Sequence, residues 1–164
     1  MKTLTQTELL TEIKNKCLAQ KLTLAVAESV TAGLLQNYFS RTEKAMQFFQ
    51  GGMTLYNLGQ KTRHLDVNPI LGENSNCVSK YVAEKMALEI SGKFCSEIGI
   101  GITGYAAPMP ELDIDSLYAY LAISKNGKIL LSKRMNGDDE LSMAQNQELY
   151  IRKSLEHLYQ ILDK

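Results

Sequence analysis

The sequence has few of the residues that mark metal-binding or nucleic-acid-binding proteins. Its 164 residues include no tryptophan, two histidines and three cysteines. Cys17, Cys77 and Cys95 are far apart, odd in number and outside any zinc-site spacing, so we interpret them as free thiols. The 18 basic residues equal the 18 acidic ones, and this balance gives no overall attraction for nucleic acid. We therefore expect neither a metal nor a nucleic-acid partner.

Long hydrophobic runs are also missing. The first eight residues lack the apolar core of a signal peptide, and no apolar stretch approaches the ~20 residues of a membrane span. We therefore expect a cytoplasmic protein with no membrane partner. The 45% hydrophobic and 22% charged content is typical of a globular domain, and the sequence contains no linker or repeat. We expect residues 1–164 to form a single domain.

Periodic apolar residues predict alternating helices and strands. A capping box, Thr5 to Glu8, precedes an apolar stripe with helical spacing. Further helices are predicted over about residues 30–40, 78–94 and 140–162, with a short helix over 61–65. Strands are predicted over about 22–27, 48–56, 97–103, 117–124 and 128–135, and loops over 72–76 and 104–115.

This order of elements predicts an α/β fold. Helices interleaved with apolar strands indicate a sheet that is covered by helices on both faces. Asn126-Gly127 is a strong hairpin signal between the last two strands, and the antiparallel pair that it joins makes the sheet mixed.

The stretch from Ala27 to Gly33 is the most informative part of the chain. It joins an apolar strand to the predicted helix over 30–40, so Ser29 lies at a strand-to-helix turn. Backbone amides at a helix start can stabilise an oxyanion or bind a phosphate. Ser29 therefore has two interpretations, a nucleophile or a simple helix cap. Glu28 could orient Ser29, or it could be a solvated acid that favours the helix dipole.

A serine nucleophile needs a base nearby. His64 is one candidate, but the sequence places no carboxylate to orient it. Lys61 is the other, because a desolvated lysine loses its proton more readily. Lys61 could take the proton from Ser29 directly or through the phenol of Tyr56. The alternative is that Lys61 is a solvated surface residue and Tyr56 an aromatic at the edge of the core.

Four motifs together resemble the C-terminal amidase domain of the competence/damage-inducible protein CinA, whose stand-alone relatives are nicotinamide-nucleotide amidases. The stretch Ala27 to Gly33 resembles the family's Ala-Glu-Ser-Cys-Thr-Gly-Gly. Tyr56 and Lys61 match a strand that ends in Tyr and is followed five positions later by Lys. Cys77-Val78-Ser79 resembles its Ala-Val-Ser helix start, and Ile102-Thr103-Gly104 matches its Ile-Thr-Gly.

The resemblance implies a three-layer α/β/α sandwich and an amidase that needs neither metal nor cofactor. It implies that Ser29 is the nucleophile and that Lys61 and Tyr56 transfer protons. The implied reaction is the hydrolysis of nicotinamide mononucleotide to nicotinate mononucleotide and ammonia, with the oxyanion near the start of the helix over 30–40. The implied substrate contacts are Glu28, Thr31, Gly33, Thr103 and Gly104.

The chain departs from the family pattern in its loops. Ala32 stands where the family has glycine and restricts the backbone there. The stretch 105–111 contains two prolines and Met109 where the family has a glycine-rich loop that would let amides approach a phosphate. Acidic residues follow that loop at Glu111, Asp113 and Asp115. The family's Arg after a Gly-Asp turn has no counterpart in the acidic stretch 137–140.

These departures keep alternatives open. The chain could be a degenerate homologue that binds a ligand or a partner without turnover, an amidase on a different substrate, or an interaction module in competence or repair. Its expected partner is a small-molecule nucleotide, and exposed strand edges make a homodimer possible.

Overall fold

The computed structural model describes residues 4–163, so residues 1–3 and 164 of the expected domain lie outside the described part. Within that part the chain forms six α-helices and five β-strands. The helices are α1 (Gln6–Gln20), α2 (Leu34–Ser40), α3 (Leu58–Leu65), α4 (Pro69–Asn74), α5 (Lys80–Lys93) and α6 (Met143–Leu162). The strands are β1 (Leu24–Glu28), β2 (Phe49–Thr54), β3 (Ile98–Gly104), β4 (Tyr118–Lys125) and β5 (Lys128–Asn136).

The strands form one mixed sheet in the order β2-β1-β3-β4-β5. β1 runs parallel to both β2 and β3, and β4 is antiparallel to β3 and β5. Asn126 and Gly127 have φ angles of 50° and 73°, the left-handed conformation that a tight hairpin turn requires. The predicted mixed sheet and its hairpin are therefore confirmed.

Helices cover both faces of this sheet. α1, α2 and α6 pack on one face, where they enclose the larger hydrophobic core. α5 packs on the other face, against β1, β3 and β4, and α3 contacts both α4 and α5 there. No helix in the described part of the chain is long and apolar enough to cross a bilayer. The result is an α/β/α sandwich.

The central strand β3 presents a different surface to each layer. Ile98, Ile100 and Ile102 are buried in the core beneath α1 and α6. Gly99 and Gly101 face α5, whose backbone lies directly against them. A Cβ added at Gly101 would lie 2.3 Å from the carbonyl oxygen of Ala83. Glycine at these positions lets α5 approach the sheet closely.

Three helix boundaries differ from their predicted positions, each for a local reason. The helix predicted over 30–40 begins at Leu34, because Ala32 and Gly33 have φ angles of 51° and 94° and cannot continue a right-handed helix. The stretch 72–76, predicted as a loop, holds the end of α4, which Asn68 caps. The short helix predicted at residue 61 begins at Leu58, where Asn57 caps it.

The close approach of α5 to β3 leads to a test of packing. We expect Gly101→Ala to lower the free energy of unfolding by about 3 kcal/mol, because the new methyl group would overlap the backbone of α5. Gly92→Ala is the matched control, since Gly92 lies on α5 with nothing within 4 Å of its added Cβ. Alanine should stabilise the helix there by about 0.5–1 kcal/mol. Urea denaturation measures both, and equal effects would contradict this account of the packing.

Candidate active site

A cavity of about 500 Å³ opens at the carboxyl ends of β1 and β3. These ends lie side by side, because Glu28 of β1 pairs with Ile102 of β3. Ligands of open α/β sheets collect at such strand ends. Ser29, Lys61, Thr103 and Gly104 all line the cavity.

Ser29 follows β1 directly and continues its pairing with β3. Its backbone N–H donates a hydrogen bond to the carbonyl oxygen of Ile102 at 3.0 Å. This bond fixes the residue, and its side chain lines the cavity. Ser29 does not cap α2, because that helix begins five residues later and Gly33 is its N-cap residue.

Lys61 brings a buried amine to the same point. It lies on α3, only 1% of its surface is exposed, and Nζ donates a hydrogen bond to Oγ of Ser29 at 3.0 Å. Burial lowers the pKa of the Lys61 ammonium, and no carboxylate in the described part of the chain forms an ion pair with it. Burial also raises the pKa of the nearby Cys77 thiol, which favours its uncharged form. These surroundings favour the neutral amine, the form that can accept a proton.

The other two candidates for proton transfer form no hydrogen bond to the pair within residues 4–163. Tyr56 lines the cavity, but 65% of its surface is exposed. Ser29 and Lys61 are in direct contact, so the direct route of the two considered needs no phenol between them. His64 follows Lys61 on α3 and does not line the cavity.

Glu28 is fully buried behind the site rather than inside the cavity. Its carboxylate accepts hydrogen bonds from the hydroxyl of Thr31 at 2.5 Å and from the N–H groups of Gly33, Leu35 and Gln36 at 3.2, 3.0 and 2.8 Å. The N–H groups at the start of α2 thus already donate hydrogen bonds to a carboxylate of the protein. The start of α2, where we expected the oxyanion, has no free amide pair to offer it.

The predicted substrate contacts divide into two groups. Thr103 and Gly104 line the cavity, although the Thr103 hydroxyl donates to the carbonyl oxygen of Cys77 at 2.7 Å. Glu28, Thr31 and Gly33 do not line it, and they hold one another in the turn that follows β1. These three residues therefore lie next to Ser29 in the chain and outside the residues that line the cavity.

Sequence reasoning missed much of the cavity wall. Cys77 lines it, as do Asn76, whose side-chain amide donates to the phenol of Tyr105 at 3.2 Å, and Met143 at the start of α6. Features of the sequence could have pointed to two of these residues. Cys77 opens the Cys-Val-Ser motif, and Met143 follows the acidic stretch that departs from the family pattern. Tyr105 and Asn76 have no such feature, because chain folding alone brings them together.

Known proteins are similar to this chain in sequence. A sequence model of the CinA C-terminal domain matches residues 6–162. A competence-damage inducible protein of Natranaerobius thermophilus is 36% identical over 116 residues, which are 71% of this chain and 28% of that protein. One from Streptococcus pneumoniae (strain ATCC 700669 / Spain 23F-1) is 37% identical over 103 residues, 63% of this chain and 25% of that protein. The match thus spans about a quarter of the length of these relatives.

Solved structures share the whole fold. A competence or damage-inducible protein from Enterobacter asburiae superposes with a TM-score of 0.91 at 25% identity, covering 98% of this chain and 99% of that one. A CinA superfamily protein from Enterobacter cloacae superposes with a TM-score of 0.92 at 25% identity, covering 99% of this chain and 95% of that one.

The role of Glu28 as a structural acceptor can be tested by removing its charge. We expect Glu28→Gln to lower the free energy of unfolding by about 3 kcal/mol, because an amide group would set donors against the amides of α2. Glu140→Gln removes the same charge at an exposed site and should change it by less than about 0.5 kcal/mol. Urea denaturation measures both changes. Equal stability of the two variants would contradict the structural role of Glu28.

Proposed function

Because the chain belongs to the family of the CinA C-terminal domain, we propose that it is an amidohydrolase with the Ser29 hydroxyl as its nucleophile. The observation that supports this proposal is the 3.0 Å contact between Oγ of Ser29 and the buried Nζ of Lys61. A buried lysine with no carboxylate partner is costly for a fold unless the amine is neutral. When a neutral amine contacts a hydroxyl, the hydroxyl can act as the nucleophile and the amine as its base.

The proposed reaction has two stages. Nζ of Lys61 accepts the hydroxyl proton as Oγ of Ser29 bonds to the carboxamide carbon, and the carbonyl oxygen becomes an oxyanion. The Lys61 ammonium then protonates the amide nitrogen, the C–N bond breaks, and ammonia leaves an ester on Ser29. In the second stage Lys61 takes a proton from water as the water oxygen attacks the ester carbon. The bond from that carbon to Oγ of Ser29 then breaks, the Lys61 ammonium returns the proton to Oγ, and the acid leaves.

The oxyanion needs a donor other than the start of α2. Val30 follows the nucleophile and lines the cavity, and its N–H has no acceptor within residues 4–163. The amide after a nucleophile is a common oxyanion donor at strand-to-helix turns. We therefore assign this role to the N–H of Val30.

The substrate we propose is a nicotinamide-bearing carboxamide, for which nicotinamide mononucleotide is the reference compound. Its hydrolysis would give nicotinate mononucleotide and ammonia. A cavity of about 500 Å³ is within the range of small-molecule sites. This activity would place the protein in the recycling of pyridine nucleotides in the cytoplasm, where it would act as a monomer or a homodimer.

Variants of the three candidate residues test the chemistry. We expect Ser29→Ala and Lys61→Met to reduce ammonia release from nicotinamide mononucleotide by at least about 10³-fold, because nucleophile and base act as a unit. Tyr56→Phe should reduce it by less than about tenfold, since the phenol is exposed and the other two residues touch directly. Undiminished activity of Ser29→Ala would refute the proposal.

The pH dependence tests the state of Lys61. Only the unprotonated amine acts as base, so kcat/KM should rise with pH through the lowered pKa of Lys61 and level off above it. The unfolded chain binds this proton more readily than the folded chain. Stability relative to Lys61→Met should therefore rise with pH between the lowered pKa and the ordinary value of a lysine. Rate measurements and urea denaturation across that range give both curves, and flat curves would contradict a desolvated base.

A further inference from the structure

We infer that this cavity selects a carboxamide without a phosphate group, so that nicotinamide riboside is hydrolysed with a higher kcat/KM than nicotinamide mononucleotide. The comparison of kcat/KM rests on the proposed amidase activity, because it requires turnover of both compounds. The preference for a ligand without a phosphate group should also appear in binding affinity, which requires no turnover.

The cavity wall lacks a cation for a phosphate. Of the described residues that line it, only Lys61 and Glu73 have ionisable groups that are ordinarily charged at neutral pH. Lys61 lies in contact with Ser29, and burial favours its neutral form. Glu73 is exposed at the end of α4 and supplies a negative charge. A phosphate dianion in the cavity would therefore face a carboxylate and no compensating positive charge.

Two uncharged side-chain donors in the cavity wall already have partners within the protein. The Thr103 hydroxyl donates to Cys77, and the side-chain amide of Asn76 donates to Tyr105. The glycine-rich loop that could offer free amides is replaced by a stretch that presents Met109 to the cavity. Prolines on either side of Met109 remove two further backbone donors.

Helix starts are the other common phosphate sites, and side chains of the protein cap three of those near the cavity. Glu28 occupies the start of α2. The side-chain oxygen of Asn57 accepts from the N–H of Gln60 at 3.0 Å at the start of α3. At the start of α6, Ser142 and Gln145 form a capping box. None of these caps is a cation, and the one on α2 is an anion that a phosphate would have to displace.

The chain on either side of the cavity-lining residues Met109 and Met143 is acidic as well. The two segments that supply Met109 and Met143 contain six acidic residues and, within 105–117 and 137–143, no basic one. These acidic residues, all exposed, are Glu111, Asp113, Asp115, Asp138, Asp139 and Glu140. Surface charges of one sign around an opening repel ligands of that sign and attract the opposite one. The pyridinium ring of nicotinamide riboside is a cation without a phosphate, and it fits this field.

The direct test compares the two substrates. Ammonia release from nicotinamide riboside and from nicotinamide mononucleotide is measured at low ionic strength, and kcat/KM should be at least about tenfold higher for the riboside. The ratio should fall with added salt, which screens the charges of these two acidic segments. A higher kcat/KM for the mononucleotide would overturn the inference and leave the proposed amidase intact.

Binding separates this inference from the proposed function. Calorimetric titration of the Ser29→Ala variant measures the affinity for each compound without turnover, and the riboside should bind about tenfold more tightly. If the wild type releases no ammonia from either compound, the amidase proposal fails, and the titration still decides the inference. Equal or tighter binding of the mononucleotide would refute it.

Adding one cation to the cavity provides the sharpest variant. Met143→Lys places an ammonium at the cavity wall, and we expect kcat/KM for the mononucleotide to rise about tenfold while that for the riboside stays level or falls. Met46→Lys is the matched control, because it makes the same change at a residue that is 95% exposed and does not line the cavity. If both variants shift the two substrates alike, the charge of the cavity does not set the preference.

Discussion

The buried carboxylate of Glu28 fixes the turn on which the candidate site depends. Its two oxygens accept four hydrogen bonds, three from backbone amides around the start of α2 and one from Thr31. These bonds hold Ala32 in a left-handed conformation that costs a residue with a Cβ about 1–2 kcal/mol. The turn ends β1 abruptly and leaves the Ser29 side chain on the cavity side. A carboxylate with only neutral donors stays buried because each of its bonds is charge-assisted.

Desolvation is what would allow the Lys61 amine to accept a proton from Ser29. Lys61 comes from α3, an eight-residue helix whose apolar neighbours pack against the α5 side of the sheet. That layer removes water from the amine and leaves Ser29 as its hydrogen-bond partner. A solvated lysine at the same distance would stay protonated and could not serve as a base. The low exposure of Lys61 therefore matters more to the proposed reaction than its position in the sequence.

The charge of the surroundings narrows what this pair can act on. In the proposed reaction Ser29 and Lys61 attack an amide, and nothing in their contact distinguishes one amide from another. We attribute selectivity to the cavity wall, where Glu73 adds a negative charge and Met109 and Met143 come from two acidic segments. The same fold can thus accept different ligands when its loops change, because most of the core lies in the helices and strands.

The sequence by itself determined the mixed α/β sheet, its hairpin and the residues Ser29 and Lys61, since periodic burial and turn chemistry are local properties that a pattern records. It did not determine that α2 begins at Leu34, because the four bonds to Glu28 that delay the helix join groups up to eight residues apart. Only the tertiary structure decided that Lys61 is buried against Ser29 and that Glu28 supports the site from behind. Burial and contact between distant residues depend on how layers pack, and no single segment contains that information.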